Sequence, residues 1–117
     1  MLAKSFAEHF AIEWIAAWNS HDLDRILSHY TDDFEMSSPV IAQIAGEPSG
    51  VLKGKKSIGA YWKRALELQP TLRFELAEVL TGATSVTLCY LGPRGKGAEV
   101  FFFNEQVKVY KAAAHYL

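Results

Sequence analysis

The stretch SVTLCYLGPRGKGAEVFFFN, residues 85–104, contains two strand-like runs separated by a break rich in glycine. Ser85–Leu91 alternates polar and apolar side chains, and Glu99–Asn104 contains the apolar run Val100–Phe103. The break between them, Gly92–Gly97, is short, so the two strands are expected to run antiparallel. A further strand-like run precedes this stretch, and another follows it. The strand-like runs of this part of the chain are residues 72–80, 85–91, 99–104 and 107–116. Short links between all of them predict an antiparallel meander.

Aromatic side chains recur every four positions near the N-terminus, from Phe6 to Trp18. This spacing places them on one face of a helix, which we expect to be buried. Ser5 and Glu8 have the spacing of a capping box. They predict a first helix over residues 5–19.

Two shorter helices and one more strand complete the predicted elements. Helical spacing resumes from Leu23 to Tyr30 and again from Lys55 to Leu68. Alternation over residues 34–38 predicts a strand. Residues 39–55 carry several glycines and prolines and are expected to form a long irregular connection, of a kind that often borders a functional site. Helices followed by a strand meander predict an α+β domain, in which a curved sheet wraps around three helices.

Length and composition restrict the classes of protein. The chain has 117 residues, so a single domain over residues 1–117 is expected. Twelve Lys and Arg against 13 Asp and Glu leave no basic excess for a nucleic-acid partner. No run reaches the roughly 20 apolar residues of a membrane span. A single cysteine, Cys89, and an N-terminus without a signal-peptide core predict a cytoplasmic location.

Motifs for cofactors, metals and nucleophiles are not found. The segment Gly50–Ser57 has three residues between its glycines where a phosphate-binding loop needs four. Gly95–Gly97 leads into a strand and is expected to be a hairpin turn. The four histidines have no ligand-like spacing, and Cys89 lies mid-strand with no adjacent base. We therefore expect neither a metal nor a cofactor.

Glu99 is an acidic residue that the sequence predicts on the apolar side of a strand. Alternation places it on the same side of its strand as Phe101 and Phe103. A carboxylate there is costly unless it is paired or neutral. The alternative is that Glu99 lies in water at the edge of the sheet.

Several segments together resemble the SnoaL-like group of the nuclear transport factor 2-like superfamily, over about residues 6–116. The segments that carry the resemblance are WIAAWNSHDLDRI (14–26), HYTDDF (29–34), Ser38–Pro39, GKKSIGAYW (54–62) and AAAHY (112–116). The resemblance implies a cone, in which a bent sheet wraps three helices and leaves an apolar cavity open at one end. Members of this superfamily include polyketide cyclases, ketosteroid isomerase, dehydratases, hydrolases and proteins that only bind, so the fold alone does not give the function.

The resemblance also implies roles for single residues. Ketosteroid isomerase uses a carboxylate base, a tyrosine and a protonated acid. The matching positions here are Ser38 for the base, Trp14 for the tyrosine and Glu99 for the protonated acid, so only the last role is retained. Ser38 is a poor base at neutral pH, whereas the Trp14 indole can donate one hydrogen bond. The same matching places His115 on the opposite face and a larger set on the cavity side: Tyr30, Trp62, Phe101, Ala112, Ala114 and Tyr116.

These observations predict a cavity that binds a small, largely apolar molecule, polycyclic and aromatic compounds included. The predicted walls are Trp14, Trp18, Tyr30, Met36, Trp62, Phe101 and Tyr116, with Ser38 and Glu99 as polar contacts. A cyclase, isomerase or lyase is the alternative, in which Glu99 handles a proton and Trp14 steadies negative charge. A third hypothesis is an interaction module that binds another chain with its sheet face.

Two more expectations concern assembly and charge. Val100–Phe103 is apolar on both of its alternating faces, and helices can cover only one of them. A homodimer through the outer face of the sheet is therefore expected. Glu99 is expected to be protonated at neutral pH, because its predicted surroundings are aromatic and hold no Lys or Arg.

Overall fold

The computed structural model of the protein describes every residue from Met1 to Leu117. The helices are α1 (Lys4–Ser20), α2 (Leu23–Leu27), α3 (Pro39–Ile44) and α4 (Lys55–Leu68). The strands are β1 (Tyr30–Ser37), β2 (Val51–Lys53), β3 (Glu75–Thr81), β4 (Ser85–Gly92), β5 (Gly95–Phe103) and β6 (Val109–Tyr116). The predicted α+β cone, a curved and mostly antiparallel sheet with helices on its inner side, is confirmed.

All six strands form one sheet in the order β2-β1-β6-β5-β4-β3. The meander from β3 to β6 is antiparallel throughout, as the short links predict. β1 pairs with β6 in parallel, with Met36 opposite Ala112, and β2 pairs with β1 antiparallel. The N-terminal strand thereby extends the meander on its β6 side.

The helix α1 carries the expected aromatic face but begins differently from the prediction. Phe10, Trp14 and Trp18 are buried along it. Its N-cap is Ala3, which makes no side-chain cap hydrogen bond, so the capping box predicted at Ser5 is wrong. Ser5 already lies within the first helical turn, where its side chain cannot act as the N-cap.

The connection over residues 39–55 is not wholly irregular, contrary to the prediction. It contains α3, which Ser38 caps and in which Pro39 occupies the first turn, and the short strand β2. Serine before proline is a helix start signal, but six residues are too few to show helical periodicity. The second predicted helix also ends earlier, at Leu27, so that Tyr30 begins β1.

The hairpin between β4 and β5 turns at Pro93 and Arg94, not at Gly95–Gly97 as predicted. Gly95 pairs with Gly92 and has φ 87, a left-handed conformation that glycine adopts without strain. The turn therefore closes within two residues, and β5 starts four residues earlier than the sequence predicts. β3 and β6 start later than predicted, at Glu75 and Val109.

The core lies between the helices and the inner face of the sheet. β5 shows the pattern best, because Glu99, Phe101 and Phe103 are buried while Val100 and Phe102 are only partly covered. Ser38 and Glu99 are the only buried residues with polar or charged side chains. None of the helices has the length and hydropathy that crossing a bilayer requires.

Candidate ligand-binding site

A cavity of about 60 Å³ lies between the helices and the inner face of the sheet, and it opens to solvent on one side. Most of its lining is hydrophobic or aromatic. The lining residues are Trp14, Trp18, Met36, Ser38, Val40, Ile44, Tyr61, Trp62, Ala65, Gln69, Leu72, Phe74, Tyr90, Gly92, Pro93, Arg94, Gly95, Glu99 and Tyr116. The cavity is therefore bounded by α1, α3, α4, the segment before β3 and the β4–β5 hairpin.

Most of the residues expected at this cavity do line it. Those that line it are Trp14, Trp18, Met36, Ser38, Trp62, Glu99 and Tyr116. They come from five separate elements, with Trp14 and Trp18 on α1 and Trp62 on α4. Helix and sheet thus contribute aromatic walls from opposite sides, as the sequence predicts.

Four predicted ligand-binding residues lie in the packed core and do not line the cavity. Tyr30 and Phe101 are buried against other rings, with Phe101 centred 4.9 Å from Phe10 and 5.4 Å from Trp14. Ala112 and Ala114 are buried on β6, where they pair with Phe101 and Glu99 of β5. Their side chains face the inner side of the sheet as expected, but larger neighbours cover them.

The indole of Trp14 is already engaged within the protein. Its Nε1 donates a hydrogen bond to the Tyr30 hydroxyl at 3.0 Å. An indole has a single N–H donor. The expectation that Trp14 steadies negative charge on a substrate is therefore wrong for this arrangement.

Glu99 is buried in the cavity wall, with 4% of its surface exposed. The Tyr90 hydroxyl donates to its Oε1 at 3.3 Å. Burial raises the pKa of Glu99 to about 8, and this hydrogen bond opposes the rise only in part. The alternative position, in water at the edge of the sheet, is excluded. At neutral pH most of the carboxyl population carries its proton.

Four tyrosines interact electrostatically with this carboxyl group. Burial raises the pKa of Tyr30, Tyr61, Tyr90 and Tyr116, and the charge that Glu99 acquires on ionisation raises all four further. These hydroxyls therefore stay protonated. Tyr61, Tyr90 and Tyr116 line the cavity, where their neutral hydroxyls can donate and accept hydrogen bonds.

Sequence reasoning missed Tyr61 and Tyr90. One signal was present for Tyr90, which lies opposite Gly97 in the β4–β5 pairing. A side chain at Gly97 would have its Cβ 3.2 Å from the Tyr90 ring, so glycine leaves room for that ring over β5.

Ser38 has a structural role at the cavity wall. Its Oγ accepts a hydrogen bond from the Val40 backbone N–H at 3.1 Å and so caps α3. Ser38 also lowers the pKa of Tyr61 and Tyr116, although burial has the larger and opposite effect on both. No histidine or carboxylate forms a hydrogen bond with the Ser38 hydroxyl, so the structure supports a polar contact rather than a base.

Two further groups at the cavity carry unused hydrogen-bonding capacity. The indole N–H of Trp18 is buried and has no partner. The Arg94 guanidinium, on the hairpin turn, donates from Nη1 to Oε1 of Gln43 at 3.2 Å and forms no ion pair. No group of three or more His, Cys, Asp or Glu side chains is placed to hold a metal ion. The site is thus equipped for hydrogen bonding and for proton donation by Glu99.

The SnoaL-like domain family matches residues 11–113 of the chain. A SnoaL-like protein of unknown function from Burkholderia thailandensis E264 is 55% identical, with a TM-score of 0.95, over 98% of this chain and 97% of that one. The epoxide hydrolase/cyclase-like enzyme SalBIII, which acts in pyran ring formation in salinomycin, is 16% identical, with a TM-score of 0.78, over 100% and 95% of the two chains.

TerC, whose structure was determined with polyporic acid, is 13% identical, with a TM-score of 0.76, over 95% of this chain and 91% of that one. Identities this low show a shared fold and no more. No curated protein matches the sequence. The match over residues 11–113 and the 55% identity to the Burkholderia protein show that this chain belongs to the SnoaL-like family.

Proposed function

We propose that the protein binds a small, largely apolar molecule in the cone cavity. One observation carries this proposal: the Glu99 side chain is buried in the wall of a largely hydrophobic cavity that opens to solvent, and the Tyr90 hydroxyl donates a hydrogen bond to it. Apolar pockets with a few convergent polar groups are typical of small-molecule sites. A ligand with a carbonyl or phenol oxygen would accept the Glu99 proton in a hydrogen bond.

The Trp18 indole supports the same proposal. Buried donors in proteins are nearly always hydrogen-bonded, and leaving one unpaired costs about 1 to 3 kcal/mol. Trp18 lies in the cavity wall, only 6% exposed, with no acceptor for its N–H. An acceptor atom on a bound molecule would satisfy that donor.

The volume of the cavity limits the ligand. An apolar cavity of about 150 Å³ is known to admit benzene, and this cavity measures about 60 Å³. A single ring therefore enters fully only if side chains at the opening move, and Gln43 and Arg94 are exposed there. Of the compounds that the sequence predicts, single-ring molecules fit best.

Tryptophan fluorescence and thermal unfolding test the proposal. Single-ring phenols and ketones should change the emission of Trp14, Trp18 or Trp62 and raise the melting temperature, because they bind only the folded state. Ala65→Leu, in the cavity wall, should abolish both effects, whereas Ala60→Leu on the exposed side of α4 should retain them. If the panel gives no response, and native mass spectrometry finds no co-purified molecule, the proposal fails.

Catalysis is the second candidate, as a cofactor-independent cyclase, isomerase or lyase. The observation that favours it is the burial of Glu99 in the cavity wall, which raises the pKa of its carboxyl group to about 8, because a group that titrates near neutral pH can both give and take a proton. Cyclase-like enzymes among the structural relatives make such chemistry reasonable on this fold. Hydrogen–deuterium exchange at the methyl group of acetophenone in D₂O would report it. Glu99→Gln should stop the exchange, and Glu105→Gln, on an exposed turn, should not.

A homodimer through the outer face of the sheet is also proposed. Val100 and Phe102 of β5 point away from the helices and are only partly covered. Tyr110 on β6 is 45% exposed, and its ring centre lies 6.4 Å from that of Phe102. An apolar patch of this kind is typical of an interface, and a second copy of the chain offers the matching surface.

A further inference from the structure

The rim of the cavity holds a single unpaired cation. Arg94 and Glu99 are the only lining residues with ionisable acidic or basic side chains, tyrosines aside. Arg94 forms no ion pair, in contrast to Arg25, which binds Glu13 at 2.8 Å. Glu99 is largely neutral at pH 7 because burial raises its pKa to about 8. The cavity therefore carries a net positive charge at neutral pH.

The backbone holds Arg94 in place at this rim. It occupies a two-residue turn beside Pro93, whose ring fixes one backbone angle, between the paired residues Gly92 and Gly95. Gln43 of α3 accepts one hydrogen bond from Nη1, and this leaves the remaining guanidinium donors free. A guanidinium held in this way suits bidentate binding of a carboxylate.

The charge of Arg94 also reaches the polar groups inside the cavity. It lowers the pKa of Tyr61 and Tyr116, although burial has the larger and opposite effect on both. It does not contribute to the pKa shift of Glu99, whose causes are burial and the Tyr90 hydrogen bond. Arg94 is exposed and Glu99 is buried, so the cation lies at the outer end of the cavity and the acid at the inner end.

We propose that Arg94 binds the anionic group of the ligand, so that the cavity selects small aromatic or apolar acids whose ring enters between the aromatic walls. This inference rests on the proposed binding function and names its ligand class. The anion takes the guanidinium donors at the rim, and the ring displaces water from beside Trp14 and Trp62. The charge of Arg94 then distinguishes an acid from its neutral amide.

Benzoate and benzamide, which match in size and differ in charge, test the inference. NMR titration at pH 7, followed by the indole N–H signals of the three tryptophans, gives both affinities. Benzoate should bind about tenfold more tightly than benzamide, since a charge-assisted hydrogen bond is roughly twice as strong as a neutral one. Arg94→Gln should remove this preference and leave benzamide binding within about twofold.

Two further variants distinguish the charge of Arg94 from its contact with Gln43. Gln43→Ala breaks the contact between α3 and the hairpin but keeps the cation, so the preference for benzoate should persist. Arg64→Gln removes an exposed arginine of α4 outside the cavity and should change neither affinity. If Arg94→Gln keeps the preference for benzoate, Arg94 does not bind the anion and the inference is overturned.

The pH dependence provides an independent readout. Glu99, Tyr61, Tyr90 and Tyr116 are the titratable groups that face the ring, and only Glu99 ionises near neutral pH. Benzoate affinity should therefore fall above about pH 8, where an ionised Glu99 repels the anion. Equal binding of the two probes overturns the inference and leaves the proposed function standing. If neither probe binds, and no neutral single-ring compound binds either, the inference and the proposed function are both rejected.

Discussion

The side chain of Asn19 forms two hydrogen bonds with the backbone of Phe74, 55 positions away in the chain. Its Nδ2 donates to the Phe74 carbonyl at 2.9 Å, and its Oδ1 accepts from the Phe74 N–H at 2.7 Å. The amide thereby satisfies both polar groups of a residue just outside β3. The Phe74 ring stacks on Trp14 with 5.6 Å between centroids, so this contact fixes one wall of the cavity.

Asn19→Ala should lower the free energy of unfolding by about 1 to 3 kcal/mol, because it leaves both backbone groups of Phe74 without partners. Asn19→Asp keeps the acceptor but turns a carboxylate oxygen toward the Phe74 carbonyl oxygen, so it should also lower the free energy of unfolding. Urea denaturation measures both. Tryptophan fluorescence of the folded variants should also change, since Phe74 packs against Trp14 and Trp18. Stability within about 0.5 kcal/mol of the original for Asn19→Ala would show that water replaces the amide without cost.

Ser38→Ala should cost about 1 kcal/mol, the usual effect of removing a serine N-cap. The Ser38 hydroxyl caps α3 by accepting from the Val40 N–H. Ser57→Ala, at an exposed position inside α4, offers a control in which no cap is lost, and alanine there should be neutral or stabilising. Equal effects of the two substitutions in thermal unfolding would contradict the capping role.

The fold is predictable from the sequence where its signals are long. Aromatic residues at four-residue spacing identify α1, and four apolar runs with short links identify the meander. The sequence does not predict α3, because six residues are too few to show helical periodicity, although Ser38 and Pro39 mark its start. The parallel pairing of β1 with β6 is not predicted either, since no local sequence signal connects strands so far apart in the chain.

The site is predictable in outline, because alternation along β5 alone places Glu99 with the core-facing phenylalanines. What surrounds Glu99 is a matter of long-range packing. Tyr61 comes from α4 and Tyr90 from β4, and in the sequence each resembles an ordinary core aromatic. The sequence places Arg94 in the break between two strands but predicts the turn at Gly95–Gly97, so its position at the rim depends on knowing where the hairpin closes.

Phe102→Glu should dissociate the proposed dimer. The side chain lies on the outer face of β5, where a charge cannot be buried against a second copy without a partner. Light scattering at micromolar concentration should give about 26 kDa for the original chain and about 13 kDa for the variant, twice and once the chain mass of 13.1 kDa. Ile12→Glu, at an exposed position on α1, should leave the dimer intact. A monomeric original chain would contradict the interface.

Tyr90→Phe should raise the pKa of Glu99 further above 8. The Tyr90 hydroxyl donates to the Glu99 carboxylate, and this hydrogen bond lowers the pKa against the larger effect of burial. Removing it leaves the ionised form without that donor. Carbon NMR of the Glu99 carboxyl group measures the midpoint directly. Tyr110→Phe, on the outer face, should not move it, and an unchanged midpoint in Tyr90→Phe would show that the hydrogen bond has no effect.

Glu99→Gln should flatten the dependence of stability on pH. Burial raises the pKa of Glu99 from 4.5 to about 8. Between these values the unfolded chain has released the proton while the folded protein still holds it, so the free energy of unfolding of the original chain falls as the pH rises. Glutamine does not titrate, so the free energy of unfolding of the variant should not fall in this way. Between pH 5 and pH 8 it should rise relative to that of the original chain by an amount on the order of a few kcal/mol. Urea denaturation at several pH values measures this gap, with Glu105→Gln on an exposed turn as the control. Parallel profiles for Glu99→Gln and the original chain would mean that Glu99 is ionised in the folded protein, and its role as a hydrogen-bond donor in the cavity would be lost.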